Sequence, residues 1–261
     1  MILTGLREDL RNLSKTRTNP FGAQSMKNIF VGVSGFSYAS WKGKFYPKDL
    51  RSEDFLSYYA GKLNSVEINS SFYAPPSAAM VKSWAGRTGE DFRFAIKSPR
   101  LITHTLKLGK GASEAADRLG KTLDLLGGKL GPVLFQLPPF SRQDLKVLES
   151  FLTQTVTVKK KAFEFRHESW LNDSTYQLLE KHDAGFCIAE TEDMKPVLKV
   201  TGGLPYFRLR RDVYTAKDVA EWTEKIREII KDSAEAFVYL RHDETGENAL
   251  YAVGMKEKIT D

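Results

Sequence analysis

Apolar and polar positions change rhythm along the chain. From residue 28, short runs rich in Val, Ile and Phe alternate with segments whose apolar residues return every three or four positions. The runs at 29–34, 65–69, 92–97, 132–137, 162–166, 185–189, 205–210 and 236–241 read as β-strands. Helix-period segments lie between most of them. Phe55, Leu56, Tyr59 and Leu63 share one face, as do Ala116, Leu119, Leu123 and Leu126. Ser141 is the expected N-cap ahead of Leu145, Leu148 and Leu152, and Thr215 that ahead of Val219, Trp222, Ile226 and Ile229. The connection 191–204 holds Pro196 and Gly202-Gly203 and predicts no clear helix. Eight strands with helical crossovers predict an α/β fold, a (β/α)8 TIM barrel in a single domain. A doubly wound open sheet is the alternative.

Residues 1–27 fall outside this rhythm. MILTGLREDLRNL suits a short amphipathic helix, and SKTRTNPFGAQSMKN, which has no acid, reads as a flexible or disordered arm. The division is therefore an N-terminal extension over 1–27 and a barrel over 28–261. The Arg and Ser content suits a transit peptide, but Glu8 and Asp9 count against one. Met26, just before the first strand, offers a second start.

Strand parity turns alternate residues toward the barrel axis. If Val66 and Ile68 face the helices, Glu67 and Asn69 face inward. By the same rule Lys97, Gln136, Glu164, Arg166, Arg208, Arg210 and Arg241 turn inward. Glu67, Lys97, Glu164, Arg208 and Arg241 should meet at the C-terminal end of the strands, where barrel enzymes build their sites. Buried charge must pair, hold a ligand or meet water. A bland reading stands beside the functional one: Glu164 could pair with Arg166 or Arg208 only to neutralise the interior.

Composition narrows the classes. The chain carries 39 Lys+Arg against 33 Asp+Glu, a net +6 that fits an anionic ligand or nucleic acid without requiring either. The single cysteine, Cys187, excludes an intramolecular disulfide framework and a cysteine-based zinc site. It points to a reducing compartment, so the cytoplasm is the expected location. No apolar run spans a bilayer, so no membrane partner is expected. Three tempting motifs fail. LGKT at 119–122 has Ala115 where a P-loop needs glycine, GVSGF has Phe36 where a nucleophile elbow needs glycine, and HESWL ends in Leu171 where a zincin needs histidine.

Several segments occur together in one order: VGVSGFSYASWKGKFYP, SVEINSSFYAPP, FRFAIKSPRLITH, LGPVLFQLPPF, FEFRHESW and a late NAL. This set resembles the YecE-like family, catalogued as domain of unknown function 72, from about Phe30 to the C-terminus. The resemblance implies a TIM barrel. It implies no reaction, because the family's activity is not established. The family pattern falls on Gly35, Tyr38, Trp41, Gly43, Tyr46, Pro47, Glu67, Asn69, Phe72, Tyr73, Lys97 and His104. It continues with Gln136, Pro138, Pro139, Glu164, Arg166, His167, Ser169, Trp170 and Asn248. The sequence departs from the pattern at YFRLRRDVY and YLRHDETG, so the resemblance carries no role to Arg210, Arg241, His242 or Asp243.

Three function classes follow. The first is an enzyme, a hydrolase or lyase, that binds a small anionic, phosphate-bearing ligand. Arg166, Arg208 and Lys97 would hold the anion, Glu67 or Glu164 would serve as general acid or base, and His104 or His167 would carry a second proton. Tyr38, Trp41, Tyr73 and Trp170 would form aromatic walls, and Asn69, Gln136, Arg241 and Asn248 would add contacts. No cofactor is expected, and a divalent metal stays open. The second class is a metal-dependent phosphodiesterase acting on nucleic acid, with Glu67, His104, Glu164, His167, Glu190, His242 and Asp243 as ligand candidates. The third is a non-catalytic nucleotide or nucleic-acid binder. The oligomeric state is not legible.

Overall fold

The computed structural model describes residues 28–260, so the helix and arm expected over 1–27 lie outside the described residues. Eight strands form: β1 (Asn28–Val33), β2 (Ser65–Ile68), β3 (Arg93–Lys97), β4 (Leu130–Gln136), β5 (Lys161–Glu164), β6 (Gly185–Glu190), β7 (Tyr206–Leu209) and β8 (Glu235–Leu240). All neighbours are parallel and run in the order β1-β8-β7-β6-β5-β4-β3-β2. The two ends of this sheet meet at an isolated parallel bridge between Ser34 and Glu67. The barrel is therefore nearly closed, and the open-sheet alternative is excluded.

The helices are α1 (Phe55–Ala60), α2 (Ala78–Gly86), α3 (Ala112–Leu123), α4 (Leu145–Gln154), α5 (Asp173–Lys181), α6 (Ala216–Ile229) and α7 (Glu247–Thr260). Among the described residues no helix joins β6 to β7, as Pro196 and the glycine pair predict. That connection is fastened instead by Thr201, whose hydroxyl accepts from Phe186 N at 2.8 Å and donates to Ala184 O at 2.7 Å. Thr215 caps α6 in a reciprocal box with Asp218. The α4 cap is not Ser141 but Asp144, whose carboxylate accepts from Val147 N at 3.0 Å. Ser141 lies three residues upstream of the cap of the helix that forms. Its carbonyl receives the Trp170 indole at 2.8 Å instead. No described helix is long and apolar enough to cross a membrane.

The seam between β1 and β2 is built by side chains. Asn64 accepts from Val31 N at 2.8 Å and donates to Ile29 O at 2.7 Å. Tyr59 accepts from Val33 N at 2.8 Å and donates to Ser65 O at 2.9 Å. These bonds satisfy backbone groups of β1 that have no β2 partner. Gly32 permits this close approach, because a Cβ there would sit 2.0 Å from Ser65 O.

Apolar packing divides as parity predicts. Val31, Val66, Phe94, Ile96, Val133, Phe135, Phe163, Phe207 and Val238 pack toward the helices in one cluster. Phe30, Ala95, Leu134, Ala162, Cys187, Tyr206, Phe237 and Tyr239 form a second cluster inside the barrel. The inner cluster fills the body of the barrel. The inward polar positions one step further along the strands are left to make the C-terminal mouth.

Candidate functional site

Three fully buried ionic groups form the floor of the mouth. Glu67 on β2, Glu164 on β5 and Arg208 on β7 are each no more than 1% exposed. Arg208 grips Glu67 with two bonds, Nε to Oε2 at 2.9 Å and Nη2 to Oε1 at 2.8 Å. Its Nη1 donates to Glu164 Oε2. Glu67 also accepts from Ser34 Oγ at 3.0 Å and Tyr206 Oη at 2.8 Å, which fills its acceptor capacity. Glu164 accepts from Gln136 Nε2 at 2.6 Å and Arg166 Nε at 2.9 Å. Burial alone would raise both carboxyls. Burial is the largest single influence, but the Arg208 charge, its hydrogen bonds and the neighbouring Arg210 (for Glu67) or Arg166 (for Glu164) together outweigh it, so both lie below the usual carboxylate range.

This geometry reassigns several expected roles. Glu164 pairs with both Arg166 and Arg208, the neutralising arrangement raised from sequence. Arg208 is sealed beneath the mouth, with its Nε and both Nη atoms engaged by carboxylates, so it is a tether and not a free anion anchor. Glu67, ionised and fully bonded, has no proton to give.

Above the floor stand further cations. Lys97, the last residue of β3, lies with Nζ 4.2 Å from the Phe72 ring centroid, and no carboxylate pairs with it among the described residues. Burial pulls its ammonium down to about 8; Arg208 adds to the shift, and Glu164 and Glu67 oppose it. Arg210, just past β7, donates to Ser34 Oγ at 2.6 Å and likewise has no carboxylate pair among the described residues. Burial, then the Arg208 charge, lower it to about 10. Arg166 uses Nε on Glu164 but keeps a side chain 35% exposed. His104 stands beside this group in a single π-helical turn, Leu101–Thr105. It meets the Phe72 ring edge-on at 4.9 Å, and burial and then Lys97 lower its pKa.

On the opposite rim Tyr38 donates to Ser34 O at 2.9 Å and stacks on His242 at 4.7 Å. Gly35, Tyr38, Asn69, Met80 and Trp84 line a cleft of 370 Å³ beside the mouth. Asn69 Oδ1 and His242 Nδ1 have no hydrogen-bond partner among the described residues.

Other sequence candidates do not join this cluster. Trp41 is buried, with its indole on Asp243 O at 2.7 Å. Trp170 is buried against Phe165 at 4.4 Å. Both are core residues and not walls of the mouth. Tyr73 is 85% exposed and touches Phe72 edge-on. His167 caps a short turn through Ser169 N at 3.1 Å. Asn248 is buried and donates to Arg241 O at 2.9 Å. Arg241 pairs with Asp212 on the outer rim and does not meet Glu67. Two of the metal candidates are equally engaged. Glu190 accepts from Tyr214 at 2.7 Å and Trp222 at 2.9 Å, and Asp243 accepts from the first amides of α7. Among the described residues no three His, Cys, Asp or Glu side chains gather to hold a metal ion.

Sequence reading passed over Ser34 and Tyr206, the two hydroxyls that complete the Glu67 shell. Both were within reach of parity: Ser34 follows Phe30 and Gly32 on the inner face of β1, and Tyr206 precedes Arg208 by two.

Comparison with known proteins agrees with the fold. The chain matches the family described as protein of unknown function DUF72 over residues 30–261, and it belongs to that family. It is similar to the UPF0759 protein YecE of Escherichia coli K12, 28% identical over 140 residues, covering 53% of this chain and 48% of YecE. It is also similar to the UPF0759 protein YunF of Bacillus subtilis 168, 27% identical over 157 residues, covering 57% and 54%. The chain thus spans about half the length of the curated relatives it matches. A crystal structure of a DUF72 family protein from Thermotoga maritima superposes with a TM-score of 0.80 at 26% identity, covering 89% of this chain and 99% of that one. One from Enterococcus faecalis V583 gives 0.71 at 18% identity over 89% and 95%, a likeness of fold alone.

Proposed function

For this member of the DUF72 family, we propose that the barrel mouth binds a small anionic ligand bearing a phosphate or an equivalent group. One observation carries the reading: Arg208 and Arg166 together balance the two buried carboxylates, and Lys97 and Arg210 add cations beyond that balance. Arg208 serves Glu67 and Glu164, while Lys97 and Arg210 have no carboxylate pair among the described residues and Arg166, bonded to Glu164 through Nε, stays partly exposed. Partly buried cations without counter-charge are costly and favour an anion that replaces lost water. Arginine offers planar two-point contact, and lysine a point charge.

Glu67 and Glu164 act in this reading by fixing Arg208 and Arg166, and not by moving protons. Lys97, lowered to about 8 chiefly by burial, is brought toward the range where a site can exchange protons, and His104, an imidazole whose proton affinity burial and Lys97 lower, stands beside it. Asn69 and Tyr38 border the adjoining cleft, which would take the uncharged part of the ligand. A metal-dependent nuclease reading has no assembled ligand set among the described residues to stand on. The cytoplasm stays part of the proposal, on the single cysteine.

Thermal unfolding with inorganic phosphate, at ionic strength matched with chloride, tests this. At a hundred times Kd, phosphate should stabilise the native state by about 2.7 kcal/mol. That is a rise in Tm of roughly 5–10 °C for a chain of this size. The double variant Arg166→Met, Arg210→Met should lose the rise. No phosphate-specific shift in the native protein, or an equal shift in the variant, defeats the reading.

A further inference from the structure

We infer that Lys97 is a covalent site: its amine condenses with the aldehyde or ketone of an anionic carbonyl compound held in the mouth. The inference rests on the anion reading above and goes beyond it, because it gives one of the three cations a different task.

Geometry separates Lys97 from its neighbours. It ends β3, and the parity that puts Ala95 inside the barrel turns Lys97 to the same side. Among the described residues its Nζ is committed to no carboxylate, and it lies over the Phe72 ring at 4.2 Å. An arginine at this position would hold an anion as well and could never deprotonate. A lysine among arginines supplies a nucleophile. The groups facing it are Arg208, Glu164 and Glu67 from the floor and Arg166 above it, with His104 across the Phe72 ring. Burial leads the shift to about 8, so a useful fraction of the amine is neutral near neutral pH. Arg166 and Arg210 are the permanent charges that would hold the ligand's anionic group.

The step balances without an oxidant. The neutral amine attacks the carbonyl carbon, a C–N bond forms, and the carbonyl π pair moves to oxygen, which takes a proton. The carbinolamine then loses its hydroxyl as water, and the nitrogen lone pair closes the C=N bond. Amine plus carbonyl becomes imine plus one water. His104 Nδ1 is bonded to Thr103 Oγ1 at 2.9 Å, which leaves Nε2 as the proton carrier for the dehydration.

Borohydride trapping tests this. The full chain is incubated with dihydroxyacetone phosphate, reduced with sodium borohydride, digested and mapped by mass spectrometry. The expected result is a Lys97 peptide heavier by the probe, less one water, plus two hydrogens. Labelling should speed up as pH rises through about 8, fall in excess inorganic phosphate, and be weak with hydroxyacetone, which lacks the phosphate. Lys97→Arg should lose the label. Label spread over surface lysines with no excess at Lys97 overturns the inference. Phosphate binding without any Lys97 label overturns it too and leaves the anion reading intact. Absence of phosphate stabilisation in the native protein overturns both.

Discussion

Replacing Arg208 with methionine removes the cation that, among the described residues, pairs with both buried carboxylates. The variant loses two bonds to Glu67 and one to Glu164, at positions no more than 1% exposed. Breaking a buried pair by deleting one partner costs about 3–5 kcal/mol, because the other charge stays behind unpaired. Here two charges stay behind. Arg166 still reaches Glu164 at 2.9 Å, and Ser34 and Tyr206 still serve Glu67, so the expected loss is about 3 kcal/mol at neutral pH. That is a large share of the 5–15 kcal/mol typical of a folded domain. The pH dependence gives a second handle. In the native protein both carboxyls are held below their usual value of 4.5. The stability they contribute is therefore present above about pH 4.5 and is lost as pH falls through the lowered folded values. Without Arg208, burial is opposed less, and their proton affinities rise above the unfolded value. The variant then regains stability on acidification, because its folded state binds more protons than the unfolded one. Urea unfolding at pH 7.5 and 5.0 should show the gap between the two proteins narrowing toward acid, with equal m-values. A loss below about 1 kcal/mol, the size of a surface ion pair, or a gap that widens toward pH 5, refutes this account of the floor.

Sulfate keeps its charge across neutral pH, so its affinity reports on the protein alone. Between pH 7 and 9 Lys97 passes from roughly nine-tenths to roughly one-tenth protonated around its value of about 8. Calorimetric affinity for sulfate should weaken several-fold over that range and stay level in Lys97→Met; a level native profile contradicts it. Over the same range the stability of the ligand-free native protein should rise, because the unfolded chain, with lysine near 10.5, binds the proton that folded Lys97 has released; unfolding that is insensitive to pH between 8 and 10 counts against a lowered Lys97. Trp170→Ala removes a buried ring stacked on Phe165 at 4.4 Å and a bond to Ser141, and should cost about 3–5 kcal/mol of stability. Its sulfate affinity should equal that of the native protein, and a selective loss of binding would return Trp170 to the mouth.

Strand positions and inward residues were legible because period-two alternation is a strong local signal, and eight such runs leave few arrangements. Lys97, Glu164 and Arg208 came from it directly. What parity could not supply was the identity of partners. Nothing local in the chain says that Arg208 spends itself on two glutamates while Arg210, two residues on, ends on a serine. Motif residues misled for a related reason. Trp41, Trp170, His167 and Asn248 lie beside strand ends, where packing and capping use the same residue types as ligand walls, and only tertiary contacts separate the two. The Ser141 cap failed because hydroxyl and carboxylate caps three residues apart are equally good locally, and the indole of Trp170 decided between them.

The central claim, an anion held by Lys97, Arg166 and Arg210 above a neutralised floor, is tested most directly by crystals soaked in tungstate and measured at the tungsten absorption edge. The account predicts one dominant anomalous peak within contact of the Arg166 and Arg210 guanidinium groups and the Lys97 amine, and its loss in the Arg166→Met, Arg210→Met variant. A mouth without a peak, with tungstate held elsewhere on the surface, contradicts it.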